Sequence, residues 1–136
     1  MIALDTNILV RFLVRDDETQ AHLVYARFKR AESARETLFV PLVVLLETFW
    51  VLESAYDMTR TEILDALEDL KNMPILKFEK DQVLHRLLFE GRKNQLDISD
   101  LLIALSAQSC GCTEGLTFDK KATSFPFFRL LTHTGT

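Results

Sequence analysis

Short apolar runs alternate with longer helical stretches along the whole chain, and that alternation constrains the fold more than any other feature. The runs are Met1–Leu4, Thr37–Val40, Pro74–Phe78, Glu114–Phe118 and Phe128–Thr132. The first ends at Asp5, so it reads as a buried strand at the very terminus. Thr6 or Asn7 can cap the helix that follows, Ile8 to Val14. Asp16-Asp17-Glu18 opens a longer helix, with acids where the dipole favours them, running to about Arg35 with Leu23, Ala26 and Phe28 facing inward. Pro41 ends the second strand, and Val43 to Tyr56 is a strongly apolar helix. Thr59 caps another helix, to about Asn72. Asp81 to Lys93 is helical, with Val83, Leu84, Leu87 and Leu88 on its apolar side. Ser99 caps a helix from Asp100 to Ser109, which Gly111 ends. Strands alternating with helices in this way indicate βαβ units, an α/β class and a mostly parallel central sheet flanked by helices. Open sheets of this kind bind ligands beyond the carboxyl ends of their strands. Asp5 and Asp119 each follow a strand directly, so both fall on that edge.

A chain of 136 residues that is 48% hydrophobic, with only 4 Gly and 3 Pro, fits one compact domain spanning 1–136. No apolar run approaches the ~18 residues that cross a bilayer. The acid at position 5, with no basic leader before an apolar stretch, does not fit a secretory signal, so the expected location is the cytoplasm. Cys110 and Cys112 are the only cysteines, and His22, His85 and His133 are scattered singly, which leaves no zinc set. Small residues packed near a helix end are the expected role of the two thiols. The net charge of −4 disfavours non-specific attraction to nucleic acid, but says little about one cleft if several of the 20 acids gather there.

Four acids need explaining. Asp5 could cap a helix, although Thr6 and Asn7 could do so equally well and leave its carboxylate spare. Glu47 stands in Val43-Val-Leu-Leu-Glu-Thr-Phe-Trp-Val-Leu52, apolar on every side. Buried there it needs a cation or a polar cleft. Asp100 opens an apolar helix, where the dipole alone favours an acid by ~0.3–1 kcal/mol, and Asp97 or Ser99 could serve as the cap. Asp119 could be a strand-to-turn acid before Lys120 and Lys121. One cause covers all four: phosphodiester hydrolysis uses metal ions that activate water and neutralise charge on the phosphate. Mg²⁺ and Mn²⁺ favour hard oxygen ligands, and Mg²⁺ keeps several waters, so one or two direct carboxylates suffice. No nucleophile elbow, Gly-rich phosphate loop or placed histidine competes. Gathering the acids should raise some of their pKa values.

Leu4-Asp5-Thr6-Asn7-Ile8-Leu9, then Glu47 about forty residues on, then Asp100-Leu-Leu-Ile-Ala104 and Leu116-Thr-Phe-Asp119 together resemble the motifs of PIN-domain nucleases, in order and over essentially the whole chain. The size and the Arg11-Phe-Leu-Val-Arg-Asp-Asp17 stretch are similar to VapC-type toxins of toxin–antitoxin pairs. The resemblance implies a PIN-like three-layer fold and an Mg²⁺- or Mn²⁺-dependent endoribonuclease. It also implies a homodimer silenced by a partner antitoxin bound across the active site. It implies that Asp5 and Asp100 contact the metal and that Glu47 and Asp119 complete the pocket. Asn7 and Thr117 are implied as polar supports, and Asp97, three residues before Asp100, is counted as a supporting acid beside them. The sequence departs from many relatives after Asp119, where it reads Lys-Lys-Ala.

Two rivals stand beside this reading. An aspartyl-phosphate phosphatase would want a second Asp two positions after Asp5, where the chain has Asn7. A binding module could keep the fold and use the pocket only to receive a partner. For RNA contact, Arg11 and Arg15 are four apart on the first helix and share a face, while Lys120 and Lys121 adjoin Asp119. These four are the candidate phosphate ligands. The 10 Phe and Trp50 add aromatic surface of the kind enriched at interfaces.

Overall fold

The computed structural model describes residues 1–133. Its elements group into two compact units, Met1–Asp81 and the chain from Gln82 onward. Among the described residues, β1, β2 and β3 pair in parallel, as do β4 and β5, in keeping with the alternation of strands and helices.

The first unit holds β1 (Ile2–Ala3), α1 (Thr6–Leu13), α2 (Glu18–Ala34), β2 (Leu38–Val40), α3 (Leu42–Ser54), α4 (Arg60–Lys71) and β3 (Leu76–Phe78). The sheet order is β1-β2-β3, with Ile2 opposite Leu38 and Leu38 opposite Leu76. The middle strand is the most deeply buried, with Leu38 and Val40 fully covered, while Leu76 and Phe78 of β3 are also in the core. β1 lies on the edge, and Met1, Ile2 and Ala3 are exposed, so the expected buried strand is buried only at Leu4. An apolar run identifies a strand without telling edge from centre.

Helix α2 turns Ala21, Val24, Phe28 and Ala31 inward, at the spacing of one helical face. Leu23 and Ala26 are exposed, which corrects the expected inward set by one helical phase. Its end is built by Arg35, in the left-handed region at φ 54°, while Glu36 N–H donates to Ala31 and Arg35 N–H to Glu32. Thr59 caps α4 as expected, in a reciprocal capping box with Glu62.

The second unit contains α5 (Asp81–Lys93, whose first residue belongs to the first unit), α6 (Ile98–Ser109), β4 (Gly115–Thr117), one 3-10 turn at Ala122–Ser124 and β5 (Phe128–Leu130). Val83, Leu84, Leu87 and Leu88 are all buried, as read from the sequence. Gly111, at φ 94°, ends α6 as expected: its N–H donates to Gln108 and that of Cys112 to Ala107. Cys110 and Cys112 are exposed at this turn and do not pack into the core, contrary to the expectation. Gly115 lies against the Phe127 ring, where a Cβ would come within 2.5 Å of a ring carbon. Among the described residues, no helix is long and apolar enough to cross a membrane.

Candidate active site

The candidate residues fall into two groups, one in each unit. In the first, β1 delivers the chain to Asp5, which is itself the N-cap of α1: its Oδ1 accepts from the backbone N–H of Thr6 at 2.7 Å. Neither Thr6 nor Asn7 caps this helix, because α1 already begins at Thr6. The Thr6 side chain is used elsewhere. Its hydroxyl donates to Oε1 of Glu47 at 2.9 Å, joining the start of α1 to the middle of α3. Asp5 and Glu47 are thus held through one intervening residue. Sequence reasoning missed Thr6, although a threonine freed from capping duty beside a strand-end acid was the available signal.

Glu47 is exposed, so the inference that it is buried among apolar neighbours is corrected. The partner it has is a neutral hydroxyl and not a cation. Its neighbours in sequence are apolar because α3 is buried on one side through Val44, Leu45, Phe49 and Leu52, while Val43 and Trp50 share its exposed side. Asn7 is exposed in the first turn of α1. With Ile8, Arg11, Gln20, Leu23 and Val24 it lines a hollow of about 300 Å³.

Arg11 is committed to structure. It donates to Gln20 at 2.6 Å, to Tyr56 at 3.3 Å and to Asp16 at 3.4 Å. The Tyr56 hydroxyl also donates to Asp16 at 2.7 Å, which, together with the Arg11 charge, holds the Asp16 carboxyl below its usual range. Arg15 lies beyond the end of α1, so it does not share a helical face with Arg11 as expected. It covers the Tyr25 ring at 4.6 Å and approaches Glu18 at 3.8 Å, while remaining half exposed.

In the second unit, Asp97 caps α6, accepting from Ser99 N–H at 2.8 Å; Ser99, expected as the cap, is the second helical residue. Asp100 stands in the first turn, partly buried. Burial, then the charges of Asp97 and Asp119, raise its pKa above the ordinary carboxylate value. Only the smaller contribution, from Asp97 and Asp119, is of the kind expected of gathered acids, and it involves acids of this unit alone. Asp119 is exposed after β4. Its backbone N–H donates to the Thr117 hydroxyl at 3.0 Å, and its Oδ1 accepts from Lys121 N–H at 2.9 Å. Thr117 therefore shapes the turn that presents Asp119. Lys120 and Lys121 are exposed.

Among the described residues, no three His, Cys, Asp or Glu side chains stand close enough together to hold an ion by themselves. The donors are nevertheless of the right kind. They are hard carboxylate oxygens, and Asp100, whose pKa is raised by burial first and then by the charges of Asp97 and Asp119, is a carboxylate that a nearby cation would favour in its charged form. An open set suits Mg²⁺, which keeps most of its own waters.

A family model described as PIN domain matches residues 2–127. A protein of Aquifex aeolicus (strain VF5) named VapC ribonuclease is 26% identical over 121 residues, covering 89% of this chain and 89% of that one. No solved structure gives a significant match.

Proposed function

The chain belongs to the PIN-domain family, and from that premise we propose that it is an endoribonuclease that hydrolyses RNA phosphodiester bonds with Mg²⁺ or Mn²⁺. The observation that carries the reading is the state of Asp100, a partly buried carboxylate whose pKa is pushed up by its own desolvation and by two neighbouring acids. Such a group is costly unless something cationic visits it. The relative named a ribonuclease supports RNA as the substrate.

On this reading Asp5 and Asp100 contact the ion, Glu47 and Asp119 complete the acidic set, and Asn7, Asp97 and Thr117 support them. An ion held by these carboxylates would act there as a Lewis acid toward the phosphate and the water. The chain's own part is orientation. Thr6 fixes Glu47, and the turn built by Thr117 and Lys121 fixes Asp119. Lys120, Lys121 and Arg15 offer phosphate contacts from exposed positions; Arg11 acts through the structure it holds.

Purified protein incubated with total RNA and Mn²⁺, followed by mapping of the cut ends, tests the reaction. A 5′-phosphate is expected, and a 2′,3′-cyclic phosphate overturns hydrolysis by water, because the RNA's own 2′-OH then attacked. A binding module without cleavage is the second reading, favoured by the lack of a ready-made ion cage among the described residues. RNA affinity without cut ends identifies it. We further propose that the protein is a cytoplasmic toxin of the VapC type, a homodimer held inactive by an antitoxin protein. Growth arrest on expression, relieved by the antitoxin, and a dimer by light scattering are the expected results.

A further inference from the structure

We propose that Trp50 is a stacking platform for an unpaired base of the RNA, set on the same face of α3 as Glu47. The inference rests on the ribonuclease reading above. Trp50 is 64% exposed and follows Glu47 by three residues, so the two side chains are surface neighbours on one helix. The opposite face of α3 is anchored by Leu45, Phe49 and Leu52, each nearly or wholly buried. The indole therefore contributes little to the packing of its own unit. A single exposed aromatic is ordinary, but Trp50 and Val43 flank a candidate catalytic acid on one exposed helix face, and such a grouped apolar surface marks a place where something binds.

The neighbours of Trp50 favour a base over another protein. Val43, 62% exposed, lies four residues before Glu47, so Val43 and Trp50 straddle the carboxylate. An apolar protein surface covering both would also cover Glu47, whose hydrogen-bond partner is the neutral Thr6 hydroxyl. Desolvating that charge without a cation is costly. A single base can lie on the indole alone and leave Glu47 in its polar surroundings. Residues three apart on a helix have Cβ atoms roughly 5–6 Å apart. A base on Trp50 would therefore lie beside the acid proposed to take part in cleavage, on the same exposed face of α3. Single-stranded RNA is commonly held by stacking on exposed aromatics, which accept any base through its π face.

Trp50 is the sole tryptophan of the chain, so its emission reports on this position alone. The test titrates the full chain, in EDTA to prevent cleavage, with short random-sequence single-stranded RNA. Binding is followed twice, by Trp50 emission with unlabelled RNA and by anisotropy of the same RNA carrying a dye. Saturable quenching is expected, with the dissociation constant that anisotropy gives. Trp50→Leu, which keeps apolar bulk without a π face, should weaken binding roughly five- to hundredfold. Trp50→Phe should keep most of the affinity, and Phe89→Leu, on α5, should change nothing. RNA bound by anisotropy with unquenched emission, or a Trp50→Leu variant that binds like wild type, overturns the platform and leaves the ribonuclease reading standing. Absence of RNA binding by both readouts, in EDTA and again with Ca²⁺ in place of the catalytic ion, overturns the platform, while RNA cleavage with Mn²⁺ decides the ribonuclease reading separately. An emission maximum that shifts to the blue with protein concentration alone, in step with dimer formation that Trp50→Leu abolishes, also overturns it, by assigning the face to a second copy of the chain.

Discussion

The hydroxyl of Thr6 donates to Glu47 across 2.9 Å, between residues 41 apart in sequence. The donor is buried and the acceptor exposed, so the bond is anchored from the α1 side. Thr6→Val keeps the shape and removes the donor. Because Glu47 can be rehydrated, the expected cost is about 1 kcal/mol, below the ~1.5–3 kcal/mol of a typical bond to a charged group. Thr6→Ser should restore most of it. Urea unfolding of Thr6→Val, Glu47→Ala and the double variant measures the coupling directly, alanine being used because a glutamine at 47 would still accept the bond. Equal losses from Thr6→Val in both backgrounds would show that the bond contributes nothing.

Asp5 carries two roles that substitution can separate. One oxygen caps α1 by accepting from Thr6 N–H; the proposed second role needs the negative charge. Asparagine caps helices as well as aspartate does, whereas alanine in place of a capping residue typically costs ~1 kcal/mol. Asp5→Asn should therefore melt near wild type and lose RNA cleavage, while Asp5→Ala loses both. Full cleavage by Asp5→Asn would reduce this acid to a helix cap.

What could be read from the sequence was what local chemistry decides. The apolar runs marked the strands, Thr59 marked a helix start and Gly111 a helix end, because each depends on residues close by in the chain. The errors arose where tertiary contacts chose between equal local options. Asp5, Thr6 and Asn7 are all good caps, and the claim of Glu47 on the Thr6 hydroxyl is invisible locally. Glu47 looked buried because apolar residues occupy both faces of α3, including the exposed one. A strand-end position does not make an acid catalytic either. Glu79 directly follows β3 and was passed over; it spends its Oε1 on the backbone N–H of Leu42 at the start of α3.

The cations differ in how far they are already engaged. Arg11 holds Gln20, Tyr56 and Asp16, so Arg11→Gln should lower the melting temperature and leave the salt dependence of RNA binding nearly unchanged. Lys120 and Lys121 are exposed beside Asp119. Each one that contacts a phosphate should, when changed to Gln, reduce the slope of log affinity against log salt by about 0.7, with little effect on stability. Titrations at several salt concentrations measure the slope. An unaltered slope in the double Lys variant would remove this pair from the RNA contacts.

Asp100 gives the acidic set a signature in stability as well as in activity. Its pKa is raised in the folded protein, by burial first and then by Asp97 and Asp119. Between the unfolded value, about 3.9, and the higher folded one, the native state binds more protons than the unfolded chain. Stability from this group is therefore lost as pH rises through that window, and the whole penalty is present above it. Asp100→Asn removes the penalty. In EDTA the variant should melt higher than wild type at neutral pH, and the difference should shrink as pH falls through the window. Mn²⁺ should reverse the order, because an ion that binds only the folded form stabilises wild type by mass action and the variant has lost a ligand. Asp97→Asn retains a good N-cap and takes one charge away from Asp100, so it should lie between the two in EDTA and keep more cleavage. Against these gains stands the favourable placement of an acid in the first turn of α6. If Asp100→Asn melts lower than wild type in EDTA at neutral pH, that dipole contribution outweighs the repulsion, and Asp100 is a structural acid, not part of a cation site.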